Sequence, residues 1–372
     1  MFSMTQLVRR AAQTNGKVVA TIDGERSQTW SEFAHKIACF ANGLQQLGIG
    51  SDGCVAMLAL NSDRYFEFMF ATPWAGGVFQ PVNTRLAGPE VVYWLNDSEA
   101  SVLIVDRNFV PMVAEIREQL QHVKHFIFVD DGDVPEGYIA YADVVDNEPV
   151  EDANRQGDDV AGLFYTGGTT GRSKGVMLSH TNLVVNAMQA IPMLGAQVAD
   201  RMLHVAPMFH IADAFVCIIS TSLCGSNYFQ PAFDPVSTLQ GIQDYKIQRM
   251  LLVPTMVNMM VNHPAIGEYS LESLQGIWYG ASPMPEPVIR KAMEVLPAVD
   301  FRQAYGQTEA APAITVLSPE RHTFEGPMAG KMKSAGQALP GIDLCIMDEN
   351  DQKVANDVIG EICMRGPNIM LG

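Results

Sequence analysis

From Thr29 to Gly306 the chain alternates short apolar runs with amphipathic stretches of helical length, and this alternation restricts the fold more than any other feature. CVAMLAL (54–60), VFQPVN (78–83), SVLIVD (101–106) and HFIFVD (125–130) read as strands. Helices are predicted between them, from Asp63, from Pro89 and in the stretch before His125. Thr29-Trp-Ser-Glu32 has the spacing of a capping box, and Phe33, Ile37, Phe40, Leu44 and Leu47 follow at helical intervals up to Gly48. Alternation of this kind is the pattern of a layered α/β fold with parallel pairing.

The polar, acidic stretch DNEPVEDANRQGDD (146–159) predicts a connection between subdomains. Alternation then resumes with DVAGLFY, a glycine-rich loop and a helix from about Thr181 to Leu194, and RMLHVAP, SNYFQ, RMLLVP, LQGIWYG and VDFRQAYG are the later strand candidates. From Pro340 the texture changes to strands joined by Asp/Asn/Gly turns, which predicts a small antiparallel β-barrel-like element. At 372 residues the chain is long for one core. The expected organisation is therefore an N-terminal α/β subdomain (1–150), a similar second α/β subdomain carrying the ligand sites (151–335) and the start of a β subdomain (336–372).

Charge narrows the function. With 41 acidic and 24 basic residues the net charge is −17, which argues against a broad nucleic-acid surface but leaves room for one small anion in a local loop. Cys39, Cys54, Cys217, Cys224, Cys345 and Cys363 show no close paired spacing and read as reduced thiols in a cytoplasmic protein. The N-terminus lacks the apolar centre of a secretory signal, and no apolar run reaches membrane-spanning length. His122 and His125 read as a surface pair, because no further ligand cluster completes a metal set around them.

The loop itself is LFYTGGTTGRSKGVMLSH (163–180). A glycine-rich turn between a strand and a helix presents backbone N–H groups, threonine hydroxyls, a lysine and a helix dipole, a set suited to polyphosphate. It is not a Walker A loop, since Lys174 follows Ser173 and precedes Gly175. Taken alone, such a loop has an ordinary surface turn as its alternative reading.

YTGGTTGRSKGVMLSH (165–180) closely resembles the phosphate-loop signature of the adenylate-forming, AMP-binding superfamily of acyl-CoA synthetases, luciferases and adenylation domains. PMFHIAD (207–213), VPTM (253–256), WYGASPMP (278–285), AYGQTEA (304–310) and GEICMRGPNIMLG (360–372) resemble that family's remaining signatures in order, so the likeness spans the chain. Gly167 and Ser173 stand where many members have serine and proline. The sequence ends at Gly372, and the resemblance implies that a ribose-binding aspartate, a hinge and a small C-terminal domain with a catalytic lysine are absent. This predicts impaired adenylation and no thioester formation by the chain alone.

The resemblance implies activation of a carboxylic acid by ATP to an acyl-adenylate, with Mg²⁺, followed by transfer to coenzyme A. Thr166, Gly167, Gly168, Thr169, Thr170, Gly171 and Lys174 would hold the phosphates, Thr308 the α-phosphate and Glu309 the Mg²⁺. Tyr305, Gly306 and Gln307 on one side and Gly280, Ala281, Ser282 and Pro283 on the other would enclose the adenine. His210 would border the carboxylate, and Phe215, Ile218, Val253, Met256 and Tyr279 would contribute to the acyl site, with Val216, Ile219, Met259 and Met260 also near it.

Asp213 lies three residues too late to serve as the amine anchor of amino-acid-activating relatives, so a simple acid is expected. The methionines favour a flexible fatty or related apolar chain over a rigid aryl acid. Loading of a carrier-protein thiol, or a non-catalytic nucleotide-binding fragment, are the alternatives. A chain of this kind is also free to form a homodimer.

Overall fold

The computed structural model describes residues 2–167 and 171–372. Two large sheets dominate it. The seven-stranded sheet runs in the order Ile139–Ala140, His125–Phe128, Val102–Val105, Cys54–Leu58, Val78–Pro81, Val160–Thr166, Lys174–Ser179. All its pairs are parallel except the last, an antiparallel hairpin. The strands Cys54–Leu58, Val78–Pro81 and Val102–Val105 are buried at every residue, which is why, Gln80 apart, they read as continuous apolar runs.

The nine-stranded sheet runs Gln337–Ala338, Ala313–Leu317, Asp300–Gly306, Gly276–Gly280, Arg249–Leu252, Arg201–His204, Ser226–Phe229, Val19–Asp23, Arg26–Thr29. Its central strands pair in parallel. The ends after His204, Leu252, Gly280 and Gly306 therefore open on one edge of the sheet, and every one of them leads into a motif singled out above.

Sheet membership crosses the boundary drawn at residue 150. Val19–Asp23 pairs with Ser226–Phe229 in the nine-stranded sheet, whereas Val160–Thr166 and Lys174–Ser179 complete the seven-stranded one. The connection at 146–159 carries no helix or strand. Asp343–Met347 and Glu361–Arg365 form a separate two-stranded antiparallel ladder, the part of the small β element that the structure contains.

Local signals act as read. Thr29 Oγ1 accepts from Glu32 N while the Glu32 carboxylate accepts from Thr29 N, closing the capping box of the helix Trp30–Gln46. Helices Asp63–Ala75 and Ile211–Ser222 are buried on almost every side, as befits helices enclosed between layers.

The phosphate-loop signature ends at His180, which opens the helix His180–Leu194 and anchors the N-terminus of the chain. Its Nδ1 accepts the N–H of Met4, the first residue of the helix Met4–Asn15, at 3.1 Å. The ring is fully buried, and that burial lowers its pKa from 6.5 to about 4. The unfolded chain thus takes up a proton first as pH falls, so stability from this group is intact above pH 6.5 and lost on the way to about 4. Its full loss amounts to roughly 3 kcal/mol. Urea midpoints measured down this range should fall for the wild type and fall less for His180→Asn; parallel curves would contradict the assignment.

Candidate functional site

The predicted loop joins two strands rather than a strand and a helix. Met177 is exposed between buried Val176 and Leu178, and the segment Lys174–Ser179 folds back as a strand on Val160–Thr166. The helix dipole expected at the loop is therefore absent from it; that helix begins only at His180, beyond the far end of the second strand. Instead the register sets Thr166 directly opposite Lys174, and paired residues share one face. Gly167 is exposed, and Gly171 holds φ +113, a value glycine adopts without penalty. Gly168, Thr169 and Thr170 lie outside the described residues.

Aromatic residues of the helix Gly88–Asp97 brace the hairpin. Trp94 stacks on Tyr165 at 4.7 Å, the Tyr165 hydroxyl donates to Asp97 at 2.6 Å, and the Tyr93 hydroxyl donates to Ser173 O. Sequence reasoning missed this brace, although VVYWLND carries the two aromatics side by side.

A second set of bonds ties the hairpin to the turn that bears Thr308 and Glu309. Residues 366–372 run between them: Met370 N donates to Glu309 O and Asn368 Nδ2 to Ala310 O on one side. On the other side Leu371 N donates to Met177 O, Met177 N to Gly372 O, and Asn182 Nδ2 to the carbonyls of Pro367 and Ile369. Asn368 is fully buried, and its polar side chain inside the apolar run PNIMLG was the available sequence signal for this strap. Lys174 and Glu309 thus belong to one hydrogen-bonded frame, though no direct contact joins their side chains.

Beside the frame lies a cavity of about 370 Å³. Gly280, Ala281, Tyr305, Gly306, Gln307 and Thr308 line one part of it; Phe215, Val216, Val253, Met256 and Trp278 line another, with His210 and Arg85 among its polar groups. Thr166, Lys174 and Glu309 are not on this lining, and Ser282 and Pro283 are exposed just beyond Ala281.

Two residues assigned to the acyl site from sequence are placed elsewhere. Ile218 is fully buried in the core, turned away from the cavity on a helix that is buried on almost every side. Tyr279 occupies the opposite face of its strand from Trp278 and donates to or accepts from His322 Nε2 at 2.8 Å. Trp278 takes its place. Met260 likewise belongs to the core and Met259 to the surface.

His210 caps the helix Ile211–Ser222 and is exposed at the cavity, its ring 4.4 Å from that of Phe209. Desolvation in the cleft and then the charge of Arg85 lower its pKa, so it is neutral at neutral pH. Asp213 is buried and bonds His204 Nδ1 at 2.9 Å. No helix among the described residues is long and apolar enough to cross a membrane.

The family model described as "AMP-binding enzyme" matches residues 8–372. The chain is 33% identical over 364 residues to a feruloyl-CoA synthase of Amycolatopsis sp, covering 98% of this chain and 70% of the relative. It is 32% identical over 356 residues to a long-chain-fatty-acid–CoA ligase of Thermus thermophilus, covering 92% and 64%. The fold matches the crystal structure of the N-terminal domain of FACL13 from Mycobacterium tuberculosis with a TM-score of 0.90 at 24% identity, over 100% of this chain and 91% of that one.

Removing the strap should loosen the frame without dissolving it. Asn182→Ala leaves the carbonyls of Pro367 and Ile369 without their side-chain donor, a cost of about 1–3 kcal/mol for buried groups. Hydrogen exchange at the amides of Met370 and Leu371 should accelerate by roughly ten- to a hundredfold, while amides of Cys54–Leu58 stay unchanged.

Proposed function

The chain belongs to the AMP-binding enzyme family, and from that premise we propose that it activates an apolar carboxylic acid with ATP as the first half of ligation to coenzyme A. A carboxylate oxygen forms the new bond to the α-phosphorus, the bond from that phosphorus to the bridging oxygen breaks, and pyrophosphate leaves with the electron pair. In the second half the coenzyme A sulfur attacks the acyl carbon and AMP departs. The chain spans 64–70% of the length of the two ligases, so the complete two-step activity is proposed for the longer protein.

The observation that carries this reading is the pairing of Thr166 with Lys174 at the mouth of a glycine-rich hairpin whose second strand is strapped to the Glu309 turn. Both reactants of the first step are anions, so a cation and hydroxyl donors fixed in one frame offset the charge that gathers in the transition state. Thr166, Gly167, Gly171 and Lys174, with Gly168, Thr169 and Thr170, would hold the β- and γ-phosphates, and Thr308 the α-phosphate. Tyr305, Gly306 and Gln307 would face Gly280 and Ala281 across the adenine, with Ser282 and Pro283 at its rim.

The Glu309 carboxylate bonds no donor or cation among the described residues, which fits it to take Mg²⁺, and the ion would neutralise phosphate charge. Neutral His210 would border the incoming carboxylate and offer one hydrogen bond without fixing the acid as an ion pair.

Phe215, Val216, Val253, Met256 and Trp278 support an apolar acyl group. Asp213 is already matched by His204, which supports a substrate without an amine. The unpaired cysteines support a cytoplasmic setting.

In the full-length protein, Lys174→Ala and Glu309→Gln should each slow acid-dependent pyrophosphate exchange by about ten- to a thousandfold, with thermal midpoints almost unmoved because neither side chain is bonded among the described residues. Exchange at the wild-type rate in both would refute the site. Met256→Trp should shift preference toward shorter acids while ATP affinity holds, since filling an apolar cavity rejects only the chain that needs the room. Ile218→Trp, in the packed core, should instead cost about 1–3 kcal/mol of stability. Unfolding of both variants alike would show Met256 to be core as well.

A further inference from the structure

His204 and Asp213 stand nine residues apart at the two ends of the segment that carries His210, and both side chains are buried completely or nearly so. The protonation of the ring follows from its neighbours. Asn227 Nδ2 donates to Ala20 O at 2.9 Å, which orients the amide and leaves Asn227 Oδ1, an acceptor only, 3.0 Å from His204 Nε2. His204 Nδ1 faces the Asp213 carboxylate at 2.9 Å. With Asp213 ionised, each nitrogen meets an acceptor and each carries a hydrogen, so the ring is an imidazolium.

Its other neighbours are Phe229, stacked at 5.2 Å, Phe66 at 6.4 Å, and the Cys217 thiol 3.7 Å from Nδ1; Tyr65 is buried close to that thiol. Burial opposes the charge, but the Asp213 carboxylate 2.9 Å from Nδ1 raises the ring's pKa above the ordinary histidine range, while burial pushes the Cys217 thiol up and keeps it neutral.

The segment between the pair is fixed as well. Asn61 Nδ2 donates to Ala206 O and Asn61 Oδ1 accepts from Met208 N, both at 2.8 Å. His210 is the one exposed residue of the segment. We propose that His204 and Asp213 are positioning residues: a buried charged clasp that closes the segment 204–213 at its base and sets His210 at the cavity for the acid. This rests on the acid-binding role proposed for the cavity. His204, Asp213 and Cys217 also have the makings of a three-ligand metal set, and the metal content of the purified protein separates that arrangement from the clasp.

Nitrogen NMR of histidine-labelled protein tests the charge, and both His204 nitrogens should stay protonated across the neutral pH range. A neutral ring, or stoichiometric zinc in the purified protein, would overturn the clasp. The positioning role is read from the affinity of an acyl-sulfamoyl adenosine relative to AMP. Asp213→Asn should weaken the acyl ligand about tenfold, the size of one charge-assisted bond, with AMP affinity within about twofold.

In a His210→Ala background the same substitution should add little, because the effect runs through His210. Asp213→Glu, which keeps the charge, should recover part of the loss. Should Asp213→Asn not fold, Asn227→Ala removes the Nε2 acceptor, together with the donor to Ala20 O, and is expected to act in the same direction. Equal losses for both ligands, or full additivity with His210→Ala, would sink the positioning role. A wild-type protein that binds the acyl ligand no better than AMP would defeat the acid-binding reading itself, leaving the NMR result to stand or fall alone.

Discussion

Parallel pairing of Arg201–His204, Arg249–Leu252, Gly276–Gly280 and Asp300–Gly306 is the constraint on which the site depends. Strands that run the same way must end at the same edge, and their return connections must cross a face of the sheet as helices. Four chain segments spread over about a hundred residues of sequence are thereby delivered to one line without any side chain having to hold them there. Val253, Ala281 and Gln307 each lie one residue beyond a strand end, and His210 follows six beyond another. Loops placed in this way can vary in chemistry while the sheet beneath them stays fixed.

The second sheet supplies what the first cannot. Its contribution is the antiparallel hairpin at its edge, and a hairpin loop is free to project beyond the layer. Residues 366–372 then relate the two sheets through main-chain bonds, whose directions are set by backbone geometry and therefore tolerate side-chain change better than a packed apolar contact would. A net charge of −17 makes this local arrangement more consequential, because an anionic ligand gains nothing from the field of the whole molecule and must be met by groups fixed at the loop itself.

What the sequence disclosed and what it withheld divide along the range of the interactions. Strands such as CVAMLAL and the capping box at Thr29 are local, and they were legible residue by residue. KGVMLS was passed over because six residues without a turn signal before the helix can extend a loop or pair as a strand, and the pairing partner alone decides. Ile218 and Tyr279 failed for another reason. The helix Ile211–Ser222 is buried on almost every side and its run AFVCII is apolar throughout, so no periodicity points to the wall of the cavity, and on Gly276–Gly280 the choice between Trp278 and Tyr279 is the choice of sheet face. The bond from Asn368 to Ala310 spans 58 residues and has no local signature beyond one polar residue in an apolar run.

The exchange of strands between the sheets bears on how the chain can be made. Val19–Asp23 leaves the ribosome early, yet its neighbour Ser226–Phe229 follows some two hundred residues later, and the seven-stranded sheet has no closing hairpin until Ser179 is out. At roughly 5–20 residues per second the hairpin of Val19–Asp23 and Arg26–Thr29 waits on the order of ten seconds or more with one edge of Val19–Asp23 unpaired. Neither half can complete its own sheet alone, so folding is governed by long-range closure and is slow relative to a chain of local contacts. The early segment is accordingly the stretch most in need of a chaperone's cover, and a cut between the halves would leave two pieces that each lack an inner or edge partner rather than two independent domains.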